Sequence, residues 1–141
     1  MVQGLYLTMK KLLNLIKEAR FVFVCGNGGS ASTAEHLTCD LLSKGIRAIC
    51  LNSNTSIITM IGNDFGYEEI FSRQLDVYAN HEDLLITISC SGTSPNIGRA
   101  IDTANFHQME VYSFEVFTKD RDYEKLEDKH LKFAHTIKKL L

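Results

Sequence analysis

The stretch from Phe21 to Leu42 constrains the fold most. An apolar run, Phe21-Val22-Phe23-Val24, passes directly into Cys25-Gly26-Asn27-Gly28-Gly29-Ser30 and then into a helical pattern from Ala31 to Leu42. Strand, glycine loop and helix in so few residues describe one βα unit. A second apolar run, Leu84-Leu85-Ile86-Thr87-Ile88, leads through Ser89-Cys90-Ser91-Gly92-Thr93-Ser94 into another helical pattern. That pattern opens at Pro95, the lone proline, where a missing N–H costs nothing. Along the chain the same reasoning predicts helix 5–19, strand 20–25, helix 30–43, strand 46–51, helices 55–62 and 67–79, strand 83–88, helix 95–107, strand 109–114 and helix 121–140. Strands that are apolar throughout and alternate with helices imply an α/β fold, a three-layer αβα arrangement around an open parallel sheet of about four to five strands. Ligands of such sheets bind beyond the carboxyl ends of the strands, where both loops fall.

The 141 residues suit a single domain, 1–141. With 45% hydrophobic residues, 23% charged and a formal net charge of −2, the composition is that of a globular protein and not of a polybasic nucleic-acid binder. Direct nucleic-acid binding is not expected. No apolar run approaches the roughly 20 residues of a membrane span, and Met1-Val2-Gln3-Gly4 lacks the charged start of a secretory signal. The expectation is a cytoplasmic protein without a membrane partner. Cys25, Cys39, Cys50 and Cys90 form no CxxC pair, so they are expected to be reduced and buried, with Cys90 facing a ligand.

In the second loop four hydroxyls surround a glycine that lets the backbone bend, and Ser94 stands where it can cap the helix behind it. Such an anion cradle without lysine suits a phosphate monoester on a neutral sugar, bound by directed hydrogen bonds. The plainer alternative is a turn with a helix cap. Neither GxxxxGK[ST] nor GxGxxG is present, which disfavours a nucleotide. Two such loops suggest one site built from both. On the first helix His36 and Asp40 are four apart and share a face, suited to a divalent metal or to proton transfer, or else to an ordinary solvated contact. Ser32 and Glu35 fit a capping box. On the terminal helix, positions 126, 130, 133, 137 and 140 make one stripe, which packs His130 with Leu126, Phe133, Ile137 and Leu140. His135 shares a different face with Glu124, Asp128 and Leu131, either a functional polar cluster or an exposed face.

Several ordered motifs together carry a resemblance: Gly26-Asn27-Gly28-Gly29-Ser30-Ala31-Ser32, Ala34-Glu35-His36-Leu37, Thr55-Ser56, Ile61-Gly62-Asn63-Asp64-Phe65-Gly66-Tyr67, Ile70-Phe71-Ser72-Arg73-Gln74 and Ile88-Ser89-Cys90-Ser91-Gly92-Thr93-Ser94-Pro95-Asn96. From about residue 20 to 113 the chain resembles the sugar isomerase (SIS) domain, a flavodoxin-like αβα fold, of the phosphoheptose isomerases. That family converts sedoheptulose 7-phosphate to D-glycero-D-manno-heptose 7-phosphate for bacterial surface lipopolysaccharide.

The resemblance implies that Ser89, Ser91 and Ser94 hold the phosphate with backbone help from Cys90 and Thr93. Asn27, Gly28 and Ser30 would contact the sugar, with Asp64, Glu124 and Glu127 as further substrate contacts. It also implies one zinc ion (Zn2+) on His36, Asp40, Glu127 and His135, with Asp40 as catalytic base, His135 as acid and an enediol(ate) in between. Asp40 stands where the family has glutamate, Glu127 where it has glutamine, and Cys90 where threonine is usual. Helical phase places Asp128 nearly in line with His135, whereas Glu127 is rotated from it by about 80°. The segment from Glu115 to Tyr123 reads as too short for the family's last loop and strand. A homotetramer is expected, with the stripe Leu5, Leu7, Met9, Leu12, Leu13 and Ile16 as a packing surface for a partner subunit. Two alternatives stay open. One is a non-catalytic module that binds sugar phosphates or a replication initiator for regulation; the other is an isomerase acting on a shorter or amino-bearing sugar phosphate.

Overall fold

The alternation folds as expected. The computed structural model describes residues 2–114 and 122–141. Their order is α1 (Val2–Glu18), β1 (Val22–Gly26), α2 (Gly29–Ser43), β2 (Ala48–Cys50), α3 (Thr55–Phe65), a 3-10 turn (Tyr67–Glu69), α4 (Ser72–Tyr78), β3 (Leu84–Ile88), α5 (Pro95–Phe106), β4 (Glu110–Ser113) and α6 (Tyr123–Leu140). The four strands form one parallel sheet in the order β2-β1-β3-β4. The chain leaves β1 toward β2 on one side and returns to β3 on the other. The β1/β3 boundary is therefore the point where strand order reverses, the usual ligand crevice of an open α/β sheet.

Alternate residues of a strand point to opposite faces, and β1 feeds two cores. Val22 and Val24 join Leu12 and Ile16 of α1, Ala34, Leu37 and Leu41 of α2, and Ala134 and Ile137 of α6. Phe23 and Cys25 join Ile61 of α3, Leu75 of α4, and Ile97, Ala100 and Ala104 of α5. Each fully buried large apolar side chain contributes roughly 1.5–3 kcal/mol, so a strand buried on both faces is anchored twice. At the amino ends, the Asp83 carboxylate accepts from Arg20 Nε at 3.0 Å, from Arg20 Nη2 at 2.8 Å and from the Phe21 N–H at 3.0 Å, which pins the start of β1 beside β3. Among the described residues no helix is long and apolar enough to cross a membrane.

Several local expectations are corrected. The helix expected over 67–79 is a 3-10 turn and then α4, because Gly66 turns the chain at φ 103° and Ile70 and Phe71 drop into the core between them. Ser32 cannot cap α2, which already starts at Gly29 with Gly28 as its N-cap. Leu140 is 52% exposed, outside the buried stripe of α6. Leu12 and Ile16 are spent on this chain's own core, and Met9 and Leu13 pack against it, so much of the α1 stripe is not free for a partner. The side chains of Leu5 and Leu7, and most of the segment read as a shortened last strand, lie outside the described residues. All four cysteines are free, but Cys39 is exposed, since it follows Glu35 and His36 on the solvent side of α2.

Candidate functional site

The two loops meet because their strands are neighbours. β1 ends at Gly26, whose N–H donates to Asn52 Oδ1 at 3.1 Å while Asn52 Nδ2 donates back to its carbonyl at 2.8 Å. A Cβ on Gly26 would stand 2.6 Å from the Ser30 carbonyl oxygen, so only glycine lets α2 start this close to the strand. The turn is completed by Gly28 at φ 58°, a conformation that favours glycine. Asn27 then pairs across the gap with Asn96 of α5. Each amide nitrogen donates to the other's Oδ1 at 2.8 Å, and Tyr67 adds an O–H to Asn27 Oδ1 at 3.3 Å. Asn96 is buried, so the reciprocal pair locks the loops together without leaving an unsatisfied amide.

In the second loop the backbone aims the hydroxyls. The Gly92 N–H donates to Ser89 Oγ at 3.1 Å and the Thr93 N–H to Ser91 Oγ at 3.2 Å. Each oxygen thereby accepts from the backbone, and its own proton is left for another acceptor. Ser91 Oγ lies 3.5 Å from Ser89 Oγ and 3.3 Å from Ser94 Oγ. Ser94 holds the N-cap position of α5 but makes no side-chain cap bond; its hydroxyl turns to Ser91 instead. These serines open on a cleft of about 220 Å³ lined by Asn27, Ser30, Ser89, Cys90, Ser91 and Ser94, with Ile88, Tyr123 and Glu127. Among the described residues no lysine or arginine lines it. Cys90 Sγ is 3.7 Å from Ser30 Oγ and 3.9 Å from Nδ1 of the buried His130. Burial pushes the Cys90 thiol above its ordinary range, the Glu127 charge adds to this, and the Ser30 hydroxyl opposes it, so Cys90 enters the cleft as a neutral thiol.

A second cluster lies further along α2 and α6. His135 Nε2 is 2.9 Å from His36 Nε2, and His36 Nε2 is 3.4 Å from Asp40 Oδ2. One donor atom from each of His36, Asp40 and His135 falls within 4.8 Å of the others. Asp40 is 3% exposed; its Oδ1 accepts from Lys138 Nζ at 2.6 Å, while its buried Oδ2 has no hydrogen-bond partner. The hydrogen bond to Asp40 holds the Lys138 ammonium above the usual lysine range, so it stays charged. Two imidazole nitrogens and an orphaned carboxylate oxygen are a donor set that fits a divalent metal ion.

Other predicted residues fall elsewhere. Glu127 is not in the three-donor group; its carboxylate lies over Gly29, where any Cβ would collide with it, and it lines the serine cleft at the start of α2. Asp128, the better match to His135 in helical phase, is exposed. Asp64 and Glu124 are exposed and do not line the cleft, the former accepting from Asn63 Nδ2 at 2.8 Å. Thr93 is exposed and enters only through its N–H. Residues not given a role from sequence are Asn52, Tyr67, Asn96, Tyr123 and Lys138. Asn96 follows Pro95 in a motif already recognised, and a polar residue at a helix start beside a candidate loop was the available signal.

Comparison with known proteins agrees with this architecture. The SIS domain model matches residues 5–115. The phosphoheptose isomerase of Helicobacter pylori (strain P12) is 42% identical over 79% of this chain and 59% of its own length. That of Aliarcobacter butzleri (strain RM4018) is 32% identical over 91% of this chain and 78% of its own. The solved structure of phosphoheptose isomerase GmhA from Neisseria gonorrhoeae superposes with a TM-score of 0.84 at 26% identity, covering 94% of this chain and 81% of that one. The chain spans about half to two thirds of the length of the first curated relatives it matches. With most of its length under the domain model and a relative covered over three quarters, the chain belongs to the SIS domain family and, within it, to the phosphoheptose isomerase family.

Proposed function

We propose that the protein is a sugar-phosphate isomerase that interconverts sedoheptulose 7-phosphate and D-glycero-D-manno-heptose 7-phosphate. The observation that carries this is the arrangement along one seam. α2 and α6 lie side by side in parallel with a nearly constant offset: Gly29 meets Glu127, His36 meets His135 and Asp40 meets Lys138, offsets of 98, 99 and 98 residues. The serine cleft sits at the strand end of that seam and the His/Asp group further along it. From Ser30 to His36 the axial rise is about 9 Å at 1.5 Å per residue. Six C–C bonds of about 1.5 Å, laid in a zigzag, span a similar distance. A seven-carbon chain held by its phosphate in the cleft would therefore bring its carbonyl end toward Asp40 and His135.

In this reading Ser89, Ser91 and Ser94 donate to the phosphoryl oxygens, and Asn27, Gly28, Ser30 and Glu127 meet the sugar. Glu127 serves substrate hydroxyls and not the ion, because it lines the serine cleft and stands outside the three-donor group. Asp64 and Glu124 are assigned contacts only at the rim. Asp40 takes the proton from the carbon beside the carbonyl and returns it one carbon over, while His135 delivers a proton to the carbonyl oxygen as the enediol forms and takes one back from the neighbouring hydroxyl as the new carbonyl closes. Zinc, held by His36, Asp40 and His135, would supply Lewis-acid stabilisation of the negative charge that builds on substrate oxygens. The protein acts in the cytoplasm as a homotetramer, in which a partner subunit helps enclose the cleft.

Turnover of sedoheptulose 7-phosphate by the purified protein, with and without a chelator, tests the proposal. Conversion that falls on chelation and returns with zinc is the expected result. Binding of the sugar phosphate without conversion would replace it with the regulatory alternative.

A further inference from the structure

The counter-charge on Asp40 comes from its neighbour helix. Lys138, one turn beyond His135 on α6, places Nζ 2.6 Å from Asp40 Oδ1. The other oxygen, Oδ2, faces His36 at 3.4 Å and is otherwise without a hydrogen-bond partner. One carboxylate is thus split between an ammonium and the three-donor group. Among the described residues Asp40 is ion-paired with no other lysine or arginine. A divalent ion entering between His36, Asp40 and His135 would meet a carboxylate already neutralised, and a like charge on its far oxygen. Like charges at such a separation repel strongly where water is partly excluded, and Asp40 is buried.

The structure assigns Lys138 as a built-in counter-cation that pairs Asp40 when no metal is bound and competes with a divalent ion for that carboxylate, holding metal affinity down. This rests on the reading of His36, Asp40 and His135 as a metal site. The lysine is half exposed and tethered by a flexible stem, so it can swing away when an ion arrives. A mere structural clamp predicts the opposite sign, since losing a partner that orients a ligand weakens metal binding about 10–100-fold.

The experiment titrates the metal-stripped full chain with Co2+, read by its visible absorption, for wild type, Lys138→Met and Lys138→Arg; Lys138→Gln replaces the Met variant if that proves insoluble. The expected result is that Lys138→Met binds Co2+ tighter by about tenfold or more, the scale on which partners of metal ligands act, while Lys138→Arg stays close to wild type. In the metal-free state Lys138→Met should also melt lower, because Asp40 is left unpaired, and should gain more from added Co2+ than wild type does. Wild-type binding with unchanged or weaker affinity in Lys138→Met overturns the role of Lys138 and leaves the metal site standing. No Co2+ binding by any form overturns both. The expected shift in affinity without turnover of sedoheptulose 7-phosphate would uphold Lys138 and sink only the isomerase reading.

Discussion

At the strand end of the α2/α6 seam the polar groups are neutral hydroxyls on a loop, aimed by backbone N–H groups of Gly92 and Thr93. Along the helices the groups are imidazoles and a buried carboxylate, aimed by the register of two packed helices, with the Lys138 ammonium beside them on its flexible stem. The contrast separates two jobs. A loop in which Ser89 and Ser91 each accept from a backbone N–H turns hydroxyl protons outward, which suits an anion that must bind and leave. Side chains on rigid helices hold charged atoms at fixed separations, which suits chemistry in which a misplacement of about 1 Å can cost ~10²-fold in rate. Glu127 is the exception, an acidic helix residue at the loop end that lies over the first turn of α2, where the helix dipole favours negative charge.

This division can be broken by experiment. The largest effect is expected at the helix end: Asp40→Ala or His135→Ala should lower kcat about 10²–10⁴-fold with KM little changed. Activity surviving both would place the chemistry elsewhere. At the loop end Ser91→Ala should raise KM about tenfold and spare kcat, since a hydrogen bond to a charged group contributes roughly 1.5–3 kcal/mol. A fall in kcat at constant KM would reverse the roles of the two ends. The smallest effect concerns pH. An ordinary thiol ionises near pH 8.5, but burial, reinforced by Glu127, raises Cys90, so the proton that a free thiol loses there is retained in the fold. KM should therefore stay flat from pH 8 to 9 and be unaltered in that range by Cys90→Ser. A KM that climbs in wild type alone would reveal a thiolate in the cleft.

The loops were legible because their signal is local. Glycines and serines directly after apolar runs mark strand ends wherever the strands lie, and two helices of amphipathic pattern flank them. Splitting of the expected 67–79 helix was less visible, because Ile70 and Phe71 fit a helical stripe as well as a break that buries both. Asn27 with Asn96, and Asp40 with Lys138, are separated by 69 and 98 residues. No periodicity links such positions. Lys138 reads from the sequence as one of two basic residues in the last turn of α6, a common arrangement against the helix dipole. Only its neighbour on α2 makes it a partner of a buried acid.

By itself the sequence determined the βα alternation, the parallel sheet buried on both faces, the two loops at strand tips and the family those motifs belong to. Each follows from short-range patterning, which the chain carries in one dimension. Tertiary structure decided the strand order that makes the loops neighbours, and the parallel register of α2 against α6. That register groups His36, Asp40 and His135, sends Glu127 to the cleft, and gives Asp40 its lysine. It arises from the packing of Leu37, Leu41, Ala134 and Ile137 into one core, where close fit selects a single alignment among several that pattern alone would permit.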